Sequence, residues 1–184
     1  MRTHWRRHRQ RQLRQRTVWF LDETGVNLSL ARTFGRAASG RRAFGNVPKN
    51  YGVGVTVLGA MSQDGQLTTL EVRGATDEIV MLVFIREILS FVMEKGDVVV
   101  LDNLTSHKTR KVKDAFAALG VEVWYLPPYS PDLNPIEMCW SKFKSLLRQT
   151  AARTYETLSE AIGKALKKIT AADIKNWTRH CGYV

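Results

Sequence analysis

Apolar positions along the chain shift between runs, alternation and helical spacing, and the shifts predict the order of elements. Val18-Trp19-Phe20-Leu21 is an unbroken apolar run closed by Asp22, which predicts an interior strand over residues 17–22 that stops at the acid. Residues 23–50 lose the pattern and are rich in Gly, Arg, Asn and Ser, as a loop would be. Apolar residues return over 51–61, Asp64-Gly65 marks a hairpin turn, and 67–73 alternate as the return strand. From Thr76 the period becomes helical through Ile79, Leu82, Val83, Ile85, Leu89 and Val92, with Thr76 as N-cap and Gly96 as the stop.

The second half repeats this alternation. Val98-Val99-Val100-Leu101, closed by Asp102, predicts a strand over 97–102, and a helix is expected over 107–119, ended by Gly120. Residues 121–126 predict another strand, stopped by Pro127 and Pro128. Helices are expected over 136–149 and 155–168. The predicted order is βββαβαβα followed by a further helix at the C-terminal side, a mixed α/β sheet with flanking helices.

Charge changes the picture. Of 184 residues, 28 are Lys or Arg and 17 are Asp or Glu, for a net charge of +11. Residues 1–16 hold seven arginines and no acid, so this arm carries +7. A basic arm on a mildly basic body points to a polyanionic partner, nucleic acid above all. A second basic segment follows the first strand, where Arg32, Arg36, Arg41, Arg42 and Lys49 are interleaved with Phe34 and Phe44. Such a loop suits tracking of a phosphate backbone; the alternative is that its Phe residues pack over the sheet edge. The N-terminus has no apolar stretch like that of a secretory leader, and no apolar run reaches the ~20 residues of a bilayer span. A cytoplasmic, nucleoid-associated protein is expected, with Cys139 and Cys181 as free thiols.

The candidate chemistry lies in three acids. Asp22 and Asp102 each end an apolar strand, the place where sheets of this type present ligands. Glu137 follows Asn134-Pro135-Ile136 in the first turn of a helix, where an acid suits the macrodipole. Two strand-end carboxylates and one at a helix start have the hard oxygen donors for Mg²⁺ or Mn²⁺. Two such ions would serve phosphoryl transfer. The opposing reading makes each acid an ordinary cap or turn residue.

Two stretches are more specific. One is Leu21-Asp22-Glu23-Thr24-Gly25 with Tyr51-Gly52. The other is Leu101-Asp102-Asn103-Leu104-Thr105-Ser106-His107 with the string from Leu126-Pro127-Pro128-Tyr129 through Ser130-Pro131-Asp132-Leu133-Asn134-Pro135-Ile136-Glu137, ending in Trp140-Ser141-Lys142-Phe143-Lys144. Together they resemble the catalytic domain of bacterial insertion-sequence transposases of the mariner-related DDE superfamily, the IS 630 type. The resemblance runs from about residue 17 to the closing Tyr183. It implies an RNase H-like fold with Asp22, Asp102 and Glu137 as the metal-binding catalytic triad. It also implies cleavage at transposon ends, strand transfer into a TA target, and Mg²⁺ or Mn²⁺, two ions, as cofactor. A homodimer assembled on DNA is expected. Family members carry an N-terminal helix-turn-helix region; only the arginine-rich arm precedes the first strand here, so the chain reads as a catalytic half, a second reading frame or a truncated copy, with specific end recognition either missing or supplied by a separate helix-turn-helix chain from an upstream frame.

Other residues divide between DNA contact and structure. His107 and Tyr129 are candidates for DNA contact, and Lys142 and Lys144 for phosphate contact, against capping, loop or solvated roles. Asn134 reads as the N-cap before Pro135, Trp140 as core, and Glu23 as pointing away from Asp22 because strands alternate. Two further functions fit the same residues: a nuclease of this fold that cuts without strand transfer, and a non-catalytic DNA-binding remnant.

Overall fold

The computed structural model describes residues 16–49, 51–52, 54–103 and 108–183. The arm expected over 1–16 therefore lies outside the described residues except for Arg16, and His107 lies outside them too. Arg16 is docked on the body. Its guanidinium donates to the carbonyl of Gly96 at 2.6 Å and meets Glu122 Oε2 at 2.6 Å.

Five strands form one mixed sheet: β1 (Val18–Val26), β2 (Val55–Ser62), β3 (Leu67–Arg73), β4 (Val98–Leu101) and β5 (Glu122–Tyr125). Their spatial order is β3-β2-β1-β4-β5. The first three form an antiparallel meander, and β4 and β5 add in parallel beyond β1. Parallel neighbours need crossovers, supplied by α1 (Glu78–Val83) with the turns after it, and by α2 (Arg110–Ala118). Helices α3 (Pro135–Thr150), α4 (Tyr155–Leu166) and α5 (Ala171–His180) complete the chain.

Each strand divides its residues between two cores. Val18, Phe20, Val57, Met61, Val98 and Val100 pack with Ile136, Trp140 and Phe143 of α3 and with α4 and α5. Trp19, Leu21, Leu58, Ala60, Val99 and Leu101 face α1 and α2. Burial on both faces explains the unbroken apolar runs. Each such side chain contributes roughly 1.5–3 kcal/mol.

Several elements differ from the sequence pattern. β1 does not stop at Asp22; it continues to Val26, because Thr24, Gly25 and Val26 pair with Val57, Thr56 and Val55. β2 begins at Val55 rather than 51, since Gly52 has φ +63°, outside any strand. The N-cap of α1 is Asp77, whose carboxylate accepts from the N–H of Val80 at 2.9 Å, rather than Thr76. That helix is not uniform either: it widens into a π-turn over Phe84–Ile88 and tightens into a 3-10 turn over Leu89–Phe91. Apolar spacing alone does not predict α5 (Ala171–His180). It begins with a reciprocal capping box between Thr170 and Asp173.

Candidate metal and DNA site

The pairing register brings two of the three acids together. β1 and β4 pair in parallel through Leu21 and Leu101, so the next residues, Asp22 and Asp102, come abreast at the end of that ladder. Neighbouring strands lie about 4.8 Å apart. Both acids follow the even-numbered positions that face α3, as Phe20 and Val100 do. β4 ends at Leu101 while β1 runs on with β2 alone, which opens a notch above the end of β4. Asp22 is 8% exposed at this step in the sheet. Glu23 pairs opposite Leu58, on the α1–α2 side, as strand alternation requires.

Glu137 comes to the same region from the other direction. Pro127 and Pro128 end β5, a 3-10 turn spans Pro131–Leu133, and α3 starts at Pro135. Asp102, Asn103, Asn134 and Glu137 line one cleft of about 450 Å³, with Tyr129 and Ser130 on its loop wall. Glu137 is exposed in the first turn of α3. Two tethers fix that turn. Tyr183 Oη donates to the carbonyl of Leu133 at 2.6 Å, and Trp140 packs into the core one turn beyond Glu137.

Three carboxylates and no soft donor are the right chemistry for a hard divalent cation. They do not yet form a closed ligand shell: among the described residues no three His, Cys, Asp or Glu side chains stand together at metal-holding spacing. Like charges repel at short range without a counter-ion; the fold sets Asp102 and Glu137 on one cleft and brings Asp22 abreast of Asp102 at the strand ends.

Asn134 departs from its expected role. It occupies the N-cap position, but its side chain makes no capping bond. The N–H of Glu137 instead meets the main-chain carbonyl of Asn134 at 3.2 Å. Asn134 is 4% exposed, and its Oδ1 is buried without a hydrogen-bond partner. Such an atom costs about 1–3 kcal/mol. The Asn-Pro pair reads equally as a cap, so only burial distinguishes the two roles.

The basic residues separate into groups. Arg32, Arg36, Arg41, Arg42 and Lys49 are all exposed in the loop between β1 and β2, and Phe34 and Phe44 are 89% and 92% exposed. The Phe residues thus do not pack over the sheet edge. Among the described residues the loop is anchored at its feet: Leu28 and Leu30 touch the α3-side core, and Arg153 donates to the carbonyl of Leu28 at 3.1 Å. Tyr129 is 93% exposed and holds a left-handed backbone, φ 54°. Lys142 is committed elsewhere. Its Nζ lies 2.5 Å from Asp173 Oδ2, tying α3 to α5. Lys144 is half-buried and does not line the cleft.

The family model for the DDE superfamily endonuclease matches residues 17–159. This chain belongs to the DDE superfamily endonucleases. No curated protein matches it. Among solved structures, it is similar to the Mos1 transposase paired-end complex with left transposon end: TM-score 0.70, 19% identity, covering 88% of this chain and 51% of that one. The mariner Mos1 paired-end complex with Mn gives 0.63 at 18% identity, covering 88% and 51%. The isolated catalytic domain of Mos1 mariner transposase gives 0.61 at 16% identity, covering 96% and 80%. The DDE endonuclease chain thus spans about half the length of the Mos1 chains in those complexes and has the RNase H-like fold of their catalytic domain. No helix among its described residues is long and apolar enough to cross a membrane.

Proposed function

We propose that this chain is the catalytic domain of a DNA transposase, cutting DNA at transposon ends and joining the freed 3′-hydroxyl to a TA target. The observation that carries the reading is the register of Asp22 beside Asp102, with Glu137 across the shared cleft. Asp22, Asp102 and Glu137 would hold Mg²⁺ or Mn²⁺, two ions in this reading. Bound there, the cations supply activation of the attacking oxygen and stabilisation of the leaving one.

The protein's own residues then divide the remaining work. Asp22 is fixed by its pairing with Gly59 on β2, one residue past the end of the β4 ladder, while Glu137 approaches from a helix whose start is tethered by Tyr183. The exposed Arg32, Arg36, Arg41, Arg42 and Lys49 bind backbone phosphates and lead DNA over the notch. Tyr129 contacts the DNA at the cleft rim, and Lys144 and His107 add phosphate contacts. Binding of this kind is largely independent of sequence and falls steeply with salt. Sequence-specific reading of the ends belongs to a helix-turn-helix chain encoded upstream, and the active assembly is a homodimer on DNA in the cytoplasm.

A pre-cut oligonucleotide end, incubated with a target plasmid and Mn²⁺, separates transposase from simple nuclease. Joined products support strand transfer. Nicking without joining supports the nuclease alternative, and binding alone supports a remnant.

A further inference from the structure

The orphaned side-chain oxygen of Asn134 points to a role in the cleft. This atom accepts hydrogen bonds and needs a donor. The helix start supplies none here: Pro135 has no N–H, the N–H of Glu137 meets the main-chain carbonyl of Asn134, and no first-turn N–H bonds the Asn134 side chain. A DNA phosphate does not serve either, because its oxygens only accept. A water on a carboxylate-bound cation does, since Mg²⁺ and Mn²⁺ sites keep several waters whose protons point outward. Asn134 lines the same cleft as Asp102 and Glu137, three residues before Glu137 on the same rigid turn.

We infer that Asn134 is a positioning residue of the metal site, its Oδ1 accepting a hydrogen bond from a water on the cation that Asp102 and Glu137 hold. The inference rests on the metal reading above. The bound water both satisfies the buried oxygen and fixes the start of α3, and with it Glu137, relative to Asp102. An acceptor at this position is therefore needed for tight metal binding but not for the metal-free fold.

The test is Mn²⁺ binding by calorimetry, with metal-free melting alongside, on the full chain and on Asn134→Leu, Asn134→Ala and Asn134→Asp. Asn134→Leu removes an unsatisfied polar group at similar volume, so metal-free melting holds or rises. Its Mn²⁺ affinity falls roughly three- to tenfold, the equivalent of one hydrogen bond. Asn134→Ala shows the same loss of affinity if Leu does not fit. Asn134→Asp keeps an acceptor and retains affinity. Asp102→Asn separates the two levels of the argument. If it abolishes Mn²⁺ binding while Asn134→Leu and Asn134→Ala bind like wild type, this inference is overturned and the metal site stands. If the wild-type chain binds no Mn²⁺ with or without DNA, both fall. Lowered metal-free melting with unchanged Mn²⁺ affinity would make Asn134 a purely structural cap and overturn the inference.

Discussion

Gly59 lies against Trp140 so closely that a Cβ on Gly59 would stand 2.5 Å from Trp140 Cη2. Gly59 pairs opposite Asp22, and Trp140 lies one turn beyond Glu137 on α3. The missing side chain on β2 thus lets α3 settle at the depth that brings Glu137 towards Asp22 and Asp102. The indole is rigid and 3% exposed, so it has little room to yield. Gly59→Ala should cost about 1–3 kcal/mol by overpacking. It should also reduce cleavage more than its loss of stability explains, because the displaced helix carries Glu137. Thermal melting and cleavage measured on the same preparation check both.

Tyr183 acts at the other end of this turn. Its buried hydroxyl holds the carbonyl of Leu133, and its ring meets Phe20 edge-on at 4.5 Å. Tyr183→Phe keeps the ring and removes the bond. The expected loss is about 0.5–1.5 kcal/mol, read as a lower denaturant midpoint with an unchanged slope.

Cys139 is fully buried in α3, and burial pushes its thiol up to about 12, with the nearby Asp173 charge adding to the effect. The thiolate is the reactive form. At pH 8 the folded protein should therefore leave Cys139 unlabelled by a thiol reagent, while denatured protein reacts fully. Fast labelling of native protein, located to Cys139 by peptide mapping, would contradict this packing.

Asp173 titrates at about 2, below the ordinary 3.8, chiefly through Lys142 and then the N–H of Thr170. The folded state therefore favours the charged form. The resulting stability is present above pH 3.8 and disappears as pH falls towards 2. The pair keeps some solvent contact, so its share is at most about 1 kcal/mol. Lys142→Met should melt below wild type at pH 7, and the gap should close near pH 2.

The order of strands and helices along the chain and the two acids that close apolar runs were legible because such runs and their closing acids are local signals. Where β1 ends was not. Asp22 interrupts the run, yet pairing with β2 carries the strand to Val26, and that pairing is set by Val55, Thr56 and Val57, far along the chain. The break in α1 at Phe84 left no mark in the spacing of its apolar residues. The pairing of Lys142 with Asp173 was not legible, because Asp173 lies on a helix that apolar spacing alone does not reveal. Asn134 was placed correctly at the start of α3, but its buried, unbonded oxygen is a property of the folded cleft.

The most direct measurement of the central claim is Mn²⁺-dependent cleavage of DNA by four purified variants: Asp22→Asn, Asp102→Asn, Glu137→Gln and Glu23→Gln. The first three keep shape and remove a charge that holds the cations, so each alone should lose cleavage by at least a hundredfold while melting and DNA binding change little. Glu23→Gln, on the opposite face of β1, should cut at nearly the wild-type rate. Cleavage at wild-type rates by Asp22→Asn, Asp102→Asn and Glu137→Gln would contradict the account.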